Sequence, residues 1–209
     1  MKTTLYLVRH GATEANLARP PRLQGRKHNP PLARLGVRQA EATRDFLAGR
    51  YLDTCYCSPL LRAVQTAAIV AAPHGLAPIP VDALAECDMG RWEGLDWQAI
   101  RYLDADAYQK HLANPLEHGF PGGESIAELT RRVGSALEAL LRRHDGQSVL
   151  VIAHHIVIQS YLAGLLNLNH EQARRMTVEP CGISVVISEG ETTMVSTLNA
   201  AFHLHAVAA

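Results

Sequence analysis

The first apolar run of the chain ends directly in residues that can do chemistry. Residues 5–8 are Leu-Tyr-Leu-Val, and Arg9-His10-Gly11 follows them. A guanidinium binds oxyanions through a fork of hydrogen bonds, and an imidazole nitrogen can act as a nucleophile. The pattern therefore indicates a site that holds an oxyanion and attacks it, although Arg-His-Gly alone is too short to be specific.

Composition and charge limit the classes of function. The chain has 209 residues, of which 47% are hydrophobic and 19% charged, as is ordinary for one globular domain with a sizeable core. Lys plus Arg and Asp plus Glu both number 20, so the formal net charge is zero. This balance argues against nucleic acid or an anionic membrane surface as the main partner, but it leaves room for a local positive pocket that binds a small anion.

Signals for targeting and for metal binding are weak. The apolar run at residues 5–8 is shorter than the roughly 7–15 residues of a signal-peptide core, and no run approaches the roughly 20 residues of a membrane span. The cysteines lack Cys-x-x-Cys spacing, so zinc or thioredoxin-like chemistry is not expected: Cys55, Cys57, Cys87 and Cys181. We predict a cytoplasmic protein with free, buried thiols and without a metal or other cofactor.

Strand and helix signals alternate along the chain, which predicts an α/β fold. Strands are predicted at 4–8, 54–57, 79–81 and 148–153, with a terminal hairpin at 182–188 and 193–198. Helices are predicted at 35–48, 58–72, 97–114 in two pieces, 125–144 and 157–166, and residues 202–209 as a loose tail. Ser125 and Glu128 have the spacing of a capping box at the start of one helix.

The candidate chemical residues follow two of these strands. Arg9-His10 comes directly after the first strand, and His154 directly after the strand at 148–153. In α/β sheets, ligands bind beyond the carboxyl ends of the strands. If the two strands are neighbours, the two histidines meet at that edge, and we expect this arrangement.

Short motifs occur in a fixed order along nearly the whole chain. They are residues 7–14 (Leu-Val-Arg-His-Gly-Ala-Thr-Glu), Gln24-Gly25, Pro31-Leu32 with Leu35-Gly36 and Gln39-Ala40, 58–67 (Ser-Pro-Leu-Leu-Arg-Ala-Val-Gln-Thr-Ala), 84–86 with 90–94 (Gly-Arg-Trp-Glu-Gly), 121–125 (Pro-Gly-Gly-Glu-Ser) and 151–154. Together they resemble the histidine phosphatase superfamily, in its phosphoglycerate-mutase-like branch. The resemblance implies a three-layer α/β/α fold with a central, mostly parallel sheet flanked by helices. It also implies a single domain over residues 1–209 with a partly helical lid insertion at about 95–120.

The resemblance implies a pocket with the parts that phosphoryl transfer needs. His10 would be the nucleophile that forms a phosphohistidine. Arg9 and Arg62 would bind the phosphate, with His154 as a cationic donor from the opposite side. Glu86 matches the acid that protonates the leaving group and then takes a proton from the attacking water. A bound dianion nearby should raise the pKa of Glu86, which suits that role.

The same matching implies further residues that contact the substrate: Thr13, Asn16, Gln24 and Gly25. His155, next to His154, is a further candidate for substrate binding. His155 stands where the family usually has a small residue, so its ring either narrows the pocket, touches substrate or caps the next helix. Glu93 is an alternative to Glu86 as the acid, and either one is otherwise a surface charge.

The loop at residues 22–32 also departs from the family pattern. It has Asn29 where Asp is frequent, and Ala33 follows Pro-Leu where Thr is frequent. Several side chains either line an entrance for an anionic substrate or belong to a solvated loop: Arg22, Arg26, Lys27 and His28. These departures leave the substrate open.

Aromatic residues are concentrated in the predicted lid segment, residues 95–120. They either line the pocket, which would suit a bulky leaving group, or pack the segment on the core: Trp97, Tyr102, Tyr108 and Phe120.

The 209-residue length and the motif at residues 90–94 are typical of the phosphatase type. We therefore predict a phosphomonoester hydrolase. Its partner would be a small-molecule phosphate ester, such as a sugar phosphate, a phosphoglycerate derivative or α-ribazole phosphate. The alternative is a cofactor-dependent phosphoglycerate mutase. A third reading, a catalytically inactive phosphate-binding module, conflicts with the presence of His10, Arg62 and His154. A homodimer through a sheet edge or an exposed helix is left open.

Overall fold

The strands of the protein form one mixed sheet in a computed structural model that describes residues 1–207. They are β1 (Lys2–Arg9), β2 (Thr54–Cys57), β3 (Ile79–Pro80), β4 (Ser148–Ala153), β5 (Ile183–Glu189) and β6 (Thr192–Ala200). Their order in the sheet is β3-β2-β4-β1-β5-β6. β3, β2, β4 and β1 are parallel, whereas β5 is antiparallel to both of its neighbours. The sheet is therefore parallel in the half from which the candidate residues emerge.

Helices cover both faces of this sheet. They are α1 (Glu14–Leu17), α2 (Arg34–Leu47), α3 (Leu61–Ala71), α4 (Trp97–Leu103), α5 (Ala105–Ala113), α6 (Ile126–Arg143), α7 (His155–Leu165) and α8 (His170–Ala173). Short 3₁₀ turns occupy Ala72–His74, Asp82–Leu84, Gly90–Trp92 and Phe202–Leu204. Within residues 1–207, none of the helices combines the length and the apolar character of a membrane span.

The layers follow from the alternation of side chains along the strands. On β4, Val149 and Val151 belong to the core that contains residues of α6 and α7. Leu150 and Ile152, on the opposite face, belong to the core that contains residues of α2 and α3. Successive strand residues point to opposite faces, so a fully apolar strand is the one that both layers cover. The predicted three-layer arrangement with helices on both faces is confirmed.

Helix α6 begins at the capping box that the sequence predicts. The Ser125 hydroxyl accepts the N–H of Glu128 at 3.1 Å, and the Glu128 carboxylate accepts the N–H of Ser125 at 2.8 Å. The apolar residues at helical spacing, Leu129, Val133 and Leu137 among them, are buried. Local capping and the buried face therefore select the same helix.

The segment between β3 and α6 forms two helices, as predicted. Asp104 separates α4 from α5, with a backbone conformation that belongs to neither helix. Its carboxylate accepts hydrogen bonds from Arg91 Nε and Trp92 Nε1, both at 2.7 Å. The break between the two helices is thereby attached to the 3₁₀ turn Gly90–Trp92.

The prediction of a loose tail is wrong for residues 202–207. Phe202–Leu204 forms a 3₁₀ turn, and His203 Nε2 lies 3.0 Å from the hydroxyl of Thr43 on α2. The His203 ring also stacks on Phe46, with a centroid separation of 4.9 Å. These contacts with α2 hold the segment, and its short sequence gave no periodicity to reveal them. Residues 208–209 lie outside the described residues.

Candidate active site

The carboxyl ends of β1 and β4 bring the two candidate histidines together. The strands are adjacent and parallel, with Arg9 in register with Ala153. His10 and His154 therefore leave the sheet side by side, and their ring centroids are 5.1 Å apart. The expectation that these strands are neighbours is confirmed.

His10 is oriented by its own turn and by a buried arginine. Its Nδ1 lies 2.7 Å from the carbonyl oxygen of Gly11, so Nδ1 carries the proton and donates it. The opposite nitrogen, Nε2, accepts a hydrogen bond from Arg62 Nε at 3.2 Å. Burial and the charges of Arg62 and Arg9 hold the pKa of His10 well below its ordinary value of 6.5. The result is a neutral imidazole whose Nε2 lone pair faces a cation.

Arg62 is fixed by the backbone of the preceding loop. It lies in the first turn of α3 and is completely buried. Its Nη2 donates to the carbonyl of Gly25 at 3.1 Å, and its Nη1 to the carbonyl of His28 at 3.5 Å. Burial lowers the pKa of Arg62 to about 10, which still leaves it charged at neutral pH. Arg62 is therefore a fixed positive charge against His10.

Arg9 and His154 each present a buried nitrogen that has no partner within residues 1–207. Arg9 donates from Nη1 to the carbonyl of Val178 at 2.6 Å, while its Nε has no hydrogen bond. His154 Nε2 lies 2.7 Å from the hydroxyl of Ser58, while its Nδ1 has none. Burial and the charge of Arg62 hold the pKa of His154 well below 6.5, so this environment favours a neutral ring rather than the predicted cation. Unpaired buried nitrogens are costly unless a ligand binds them.

Glu86 is a buried carboxyl between two backbone donors. Cys87 N–H donates to its Oε1 at 2.9 Å, and Ile156 N–H, at the start of α7, donates to its Oε2 at 3.3 Å. Burial raises the pKa of Glu86. The two backbone hydrogen bonds and the positive charges of Arg62 and Arg9 oppose this shift only in part. The raised pKa expected from a bound dianion therefore already follows from burial.

A cavity of about 1100 Å³ opens in front of these groups. Of the predicted site residues, it is lined by Arg9, His10, Arg62, Glu86, Asn16, Gln24 and His155. His154, Thr13 and Gly25 do not belong to its lining within the described part of the chain. A cavity of this size exceeds what one phosphate group needs, so it also accommodates a sizeable leaving group.

Comparison with known proteins identifies the family and the fold. The pattern of the histidine phosphatase superfamily, branch 1, matches residues 5–201. The chain belongs to this superfamily. It is 30% identical over 200 residues to phosphoserine phosphatase 1 of Hydrogenobacter thermophilus, an alignment that covers 96% of this chain and 93% of the relative. It is 33% identical over 183 residues to a probable phosphoglycerate mutase, GpmB of Yersinia pestis (strain Pestoides F), with 87% and 83% covered.

A solved structure supports the same assignment. Bacillus stearothermophilus YhfR superposes with a TM-score of 0.89 at 26% sequence identity, and the match covers 97% of this chain and 100% of YhfR. The predicted phosphoglycerate-mutase-like fold is therefore confirmed. With its family and its phosphatase relative, this histidine phosphatase is an enzyme of the phosphatase class.

Thr13 and Gly25, which the sequence predicts to contact the substrate, instead contact other residues of the site. Thr13 caps α1, and its hydroxyl donates to Gln24 Oε1 at 2.8 Å, while its backbone N–H donates to Asn16 Oδ1 at 3.0 Å. Gln24 and Asn16 themselves line the cavity. Gly25 provides the carbonyl that holds Arg62. Thr13 and Gly25 therefore position other residues around the cavity.

His155 lines the cavity and does not cap a helix. It is the first residue of α7, which has no side-chain cap, and its Nδ1 lies 3.3 Å from the carbonyl of Val178. Burial and the charge of Arg9 lower the pKa of His155 to about 4. Among the alternatives for His155, this position favours a neutral ring that narrows the cavity or touches the ligand.

Glu93, considered from sequence as an alternative acid, has a different place. It does not line the cavity within residues 1–207. Its carboxylate accepts the backbone N–H groups of Arg26 at 3.0 Å, Lys27 at 2.7 Å and His28 at 2.5 Å. The carbonyls on this loop are the ones that hold Arg62, so Glu93 orders the loop behind the site. The only signal for this in the sequence is an acidic residue opposite a basic loop, which does not specify backbone contacts.

Some residues of the basic loop and of the aromatic group line the cavity, and others do not. Arg22 lines the cavity, whereas Lys27 pairs with Asp88 outside it, at 3.7 Å. Three aromatic residues of the lid segment line the cavity and also pack on one another or on Trp92: Trp97, Tyr108 and Phe120. Tyr102 is 86% exposed and is not among the described residues that line the cavity.

Proposed function

We propose that this histidine phosphatase hydrolyses small-molecule phosphate monoesters through a covalent phosphohistidine on His10. The observation that carries the proposal is the state of the His10 ring. Gly11 holds the proton on Nδ1, and burial keeps the ring neutral, so Nε2 carries an unprotonated lone pair that accepts a hydrogen bond from Arg62. A neutral, oriented imidazole beside a fixed cation is suited to attack a phosphate that the cation attracts.

The reaction has two steps, and each conserves its atoms and electrons. In the first, the Nε2 lone pair of His10 forms a bond to phosphorus as the P–O bond to the leaving alcohol breaks, and Glu86 gives its proton to the departing oxygen. In the second, water attacks the phosphorus, the P–N bond breaks, and the Glu86 carboxylate takes a proton from the water. Inorganic phosphate leaves, and both side chains return to their starting state.

The unpaired nitrogens near His10 support a phosphate-binding role. Arg9 Nε and His154 Nδ1 are buried and have no partner in the described chain. Phosphate oxygens accept hydrogen bonds from such groups, and Arg62 adds charge from the same side as the nucleophile. A bound dianion would also favour the protonated ring of His154, which its surroundings otherwise disfavour.

Glu86 is the candidate acid because it is buried without a cation in contact. Within residues 1–207 it forms none of the salt bridges, although Arg9 and Arg62 are near enough to affect its pKa. A buried carboxyl with a raised pKa holds a proton at higher pH than an exposed one, as a general acid requires. The cavity in front of it gives a leaving group access to that proton.

A second candidate function follows from the relative that is named a probable phosphoglycerate mutase, at 33% identity. A mutase performs the same first step but returns the phosphoryl group to a phosphoglycerate instead of to water. The two functions share the phosphohistidine and differ only in the acceptor.

Rapid quenching of the enzyme tests the proposal directly. Wild type and His10→Ala are mixed briefly with phenyl phosphate, quenched in acid or in base, digested and analysed by mass spectrometry. A phosphoramidate survives base and is lost in acid. We expect a phosphoryl adduct on His10 that is stable in base, is absent from His10→Ala, and disappears on chasing with water alone. Loss of the adduct only when 3-phosphoglycerate is added would support the mutase. If neither an adduct nor hydrolysis is observed, the result would point to an inactive binding module.

A further inference from the structure

The cavity lining is strongly cationic in a chain that has no net charge. Lys plus Arg and Asp plus Glu are balanced at 20 each. Glu86 is nevertheless the only carboxylate that lines the cavity in the described part of the chain. The basic and imidazole side chains that line it are Arg9, His10, Arg22, Arg62, His111, His155, His170 and Arg174. Four of these side chains are arginines, which face a single carboxyl group, so the lining favours a ligand with negative charge beyond that of one phosphate group.

Three of these groups form a cluster away from the reactive residues. We name the cluster of His111, His170 and Arg174 the α8 end of the cavity, and the group around His10 the phosphate end. After burial, the charge of Arg174 is the next cause of the lowered pKa of His170, and it also lowers that of His111. All three side chains line the same cavity. An anion bound there would meet the charge of Arg174 and would favour the protonated form of both rings.

Arg174 has no carboxylate to balance it. None of the salt bridges within residues 1–207 includes Arg174. Its neighbour Arg175, by contrast, pairs with Glu171 at 2.9 Å and is 76% exposed. Two adjacent arginines thus differ: Arg175 pairs with a carboxylate of α8, and Arg174 lines the cavity.

Helix α7 lines the cavity along most of its length and leads from the phosphate end toward α8. Its residues on the cavity occur at helical spacing along one face: His155, Ile156, Gln159, Ser160, Ala163 and Gly164. The N–H of Ile156 contacts Glu86 at the phosphate end. Gly164 lies eight residues further, or about 12 Å along the axis at 1.5 Å per residue. Helix α8 follows shortly after α7. The cavity wall near this path also includes apolar side chains, among them Leu116, Phe120 and Ile126.

We propose that the α8 end is a second anion-binding subsite, which recognises the leaving group of the substrate. The substrate class is then a phosphate monoester whose alcohol carries a carboxylate or another anionic group, separated from the scissile phosphate by a largely apolar spacer. This rests on the proposed function for its first anion, the scissile phosphate.

The test compares two series of phosphate monoesters with the same chain lengths. One series ends in a methyl group and the other in a carboxylate, and the lengths bracket the span of α7. kcat/KM is measured for wild type, Arg174→Gln and the matched control Arg175→Gln, with phenyl phosphate as a substrate that cannot reach the α8 end. Circular dichroism melting checks that both variants fold.

For wild type, we expect the carboxylate series to be preferred by about fivefold at one intermediate length, since Arg174 is partly exposed and its ion pair is screened. The preference should appear in KM, disappear in Arg174→Gln and persist in Arg175→Gln, while hydrolysis of phenyl phosphate stays unchanged. A flat ratio in wild type, or an equal loss in both variants, overturns the subsite.

Binding of non-hydrolysable analogues keeps the two proposals separate. Calorimetry with alkyl phosphonates, with and without a terminal carboxylate, needs no turnover. Hydrolysis of the methyl series with an adduct on His10, but no carboxylate preference, removes only the subsite. If no substrate is turned over, the proposed function fails, and the subsite then stands or falls on whether carboxylate-ended phosphonates bind more tightly to wild type than to Arg174→Gln.

Discussion

The two ends of the cavity differ in what holds their side chains. At the phosphate end, His10, Arg62 and Glu86 are buried, and each contacts a backbone group: the Gly11 carbonyl, the Gly25 carbonyl and the Ile156 N–H. At the α8 end, Arg174 is exposed, and no hydrogen bond of its side chain appears in the described chain.

This difference separates chemistry from selectivity. Groups fixed to the backbone lose little freedom when the reaction occurs, so they act on every phosphate monoester in the same way. An exposed arginine without a carboxylate partner gains an interaction only when the ligand brings a partner for it. Changes at the phosphate end should therefore slow all substrates, and changes at the α8 end should slow only some.

Glu86→Gln tests the phosphate end with the largest expected effect. Gln keeps the size and the hydrogen bonds from Cys87 and Ile156 but cannot give a proton. We expect kcat/KM for alkyl phosphates to fall by about 10² to 10⁴, the usual range for a general acid. The loss for p-nitrophenyl phosphate should be much smaller, because that leaving group departs without a proton. The measurement is steady-state kinetics over a series of leaving groups of graded pKa. Equal losses across the series would mean that Glu86 is not the acid.

The pH profile tests the same end without changing the substrate. His10 must be neutral to react, and its pKa is held well below 6.5. As pH decreases, activity should therefore fall only at pH values well below 6.5. Glu86 must be protonated in the first step, and burial raises its pKa above 4.5. Activity should therefore decline as pH rises through that raised pKa, by about tenfold per unit where the decline is steepest. In Glu86→Gln this alkaline decline should be absent, while the acid side remains. A decline of the same shape in both proteins would assign it to another group.

Glu93→Gln asks whether the rigidity of the phosphate end depends on the loop behind it. Gln would place an NH₂ group against backbone donors of Lys27 and His28, so the loop should loosen and Arg62 should lose its alignment. We expect kcat/KM to fall by about tenfold, by the same factor for every leaving group. This uniform loss distinguishes Glu93 from a general acid, because the loss of activity on removing a general acid would depend on the leaving group.

The control for Glu93 lies on the same loop. Lys27→Gln removes the exposed pair with Asp88 but leaves the contacts of Glu93 intact. It should retain wild-type kinetics. Full activity in Glu93→Gln, or an equal loss in Lys27→Gln, would show that the loop holds its shape without the carboxylate.

The same contrast explains how much the sequence could predict. The apolar runs at β1 and β4 predict the strands, and the residues at their ends, Arg9-His10 and His154, predict the phosphate end. These signals are local: an apolar strand, then a reactive residue at its carboxyl end. The three layers follow from the same alternation of strands and helices.

What the sequence could not predict depends on contacts between distant segments. Thr13 looks like a ligand contact but caps α1, and its hydroxyl also donates to Gln24, eleven residues further along the chain. The α8 end joins His111 on α5 to Arg174, which is far from it in sequence and directly follows the four-residue helix α8, a helix too short to show periodicity. The turn at residues 202–204 is held by Thr43 on α2. No rule of residue spacing along the sequence predicts which residues form these contacts.

The smallest expected effect concerns Trp97, which lines the cavity but belongs to neither the phosphate end nor the α8 end as defined above. Its ring lines the cavity and is 43% exposed, with Tyr108 at a centroid distance of 6.1 Å. Trp97→Leu should lower kcat/KM by about threefold for esters with an aromatic leaving group, because a ring contact is worth little at a half-exposed site. Short alkyl phosphates should be unaffected. Tyr102→Leu is the matched control, because Tyr102 belongs to the same helix, is 86% exposed and lies outside the cavity lining. A loss shared by every ester would place Trp97 among the residues that support the phosphate end, and the division between the two ends would then fail along α4.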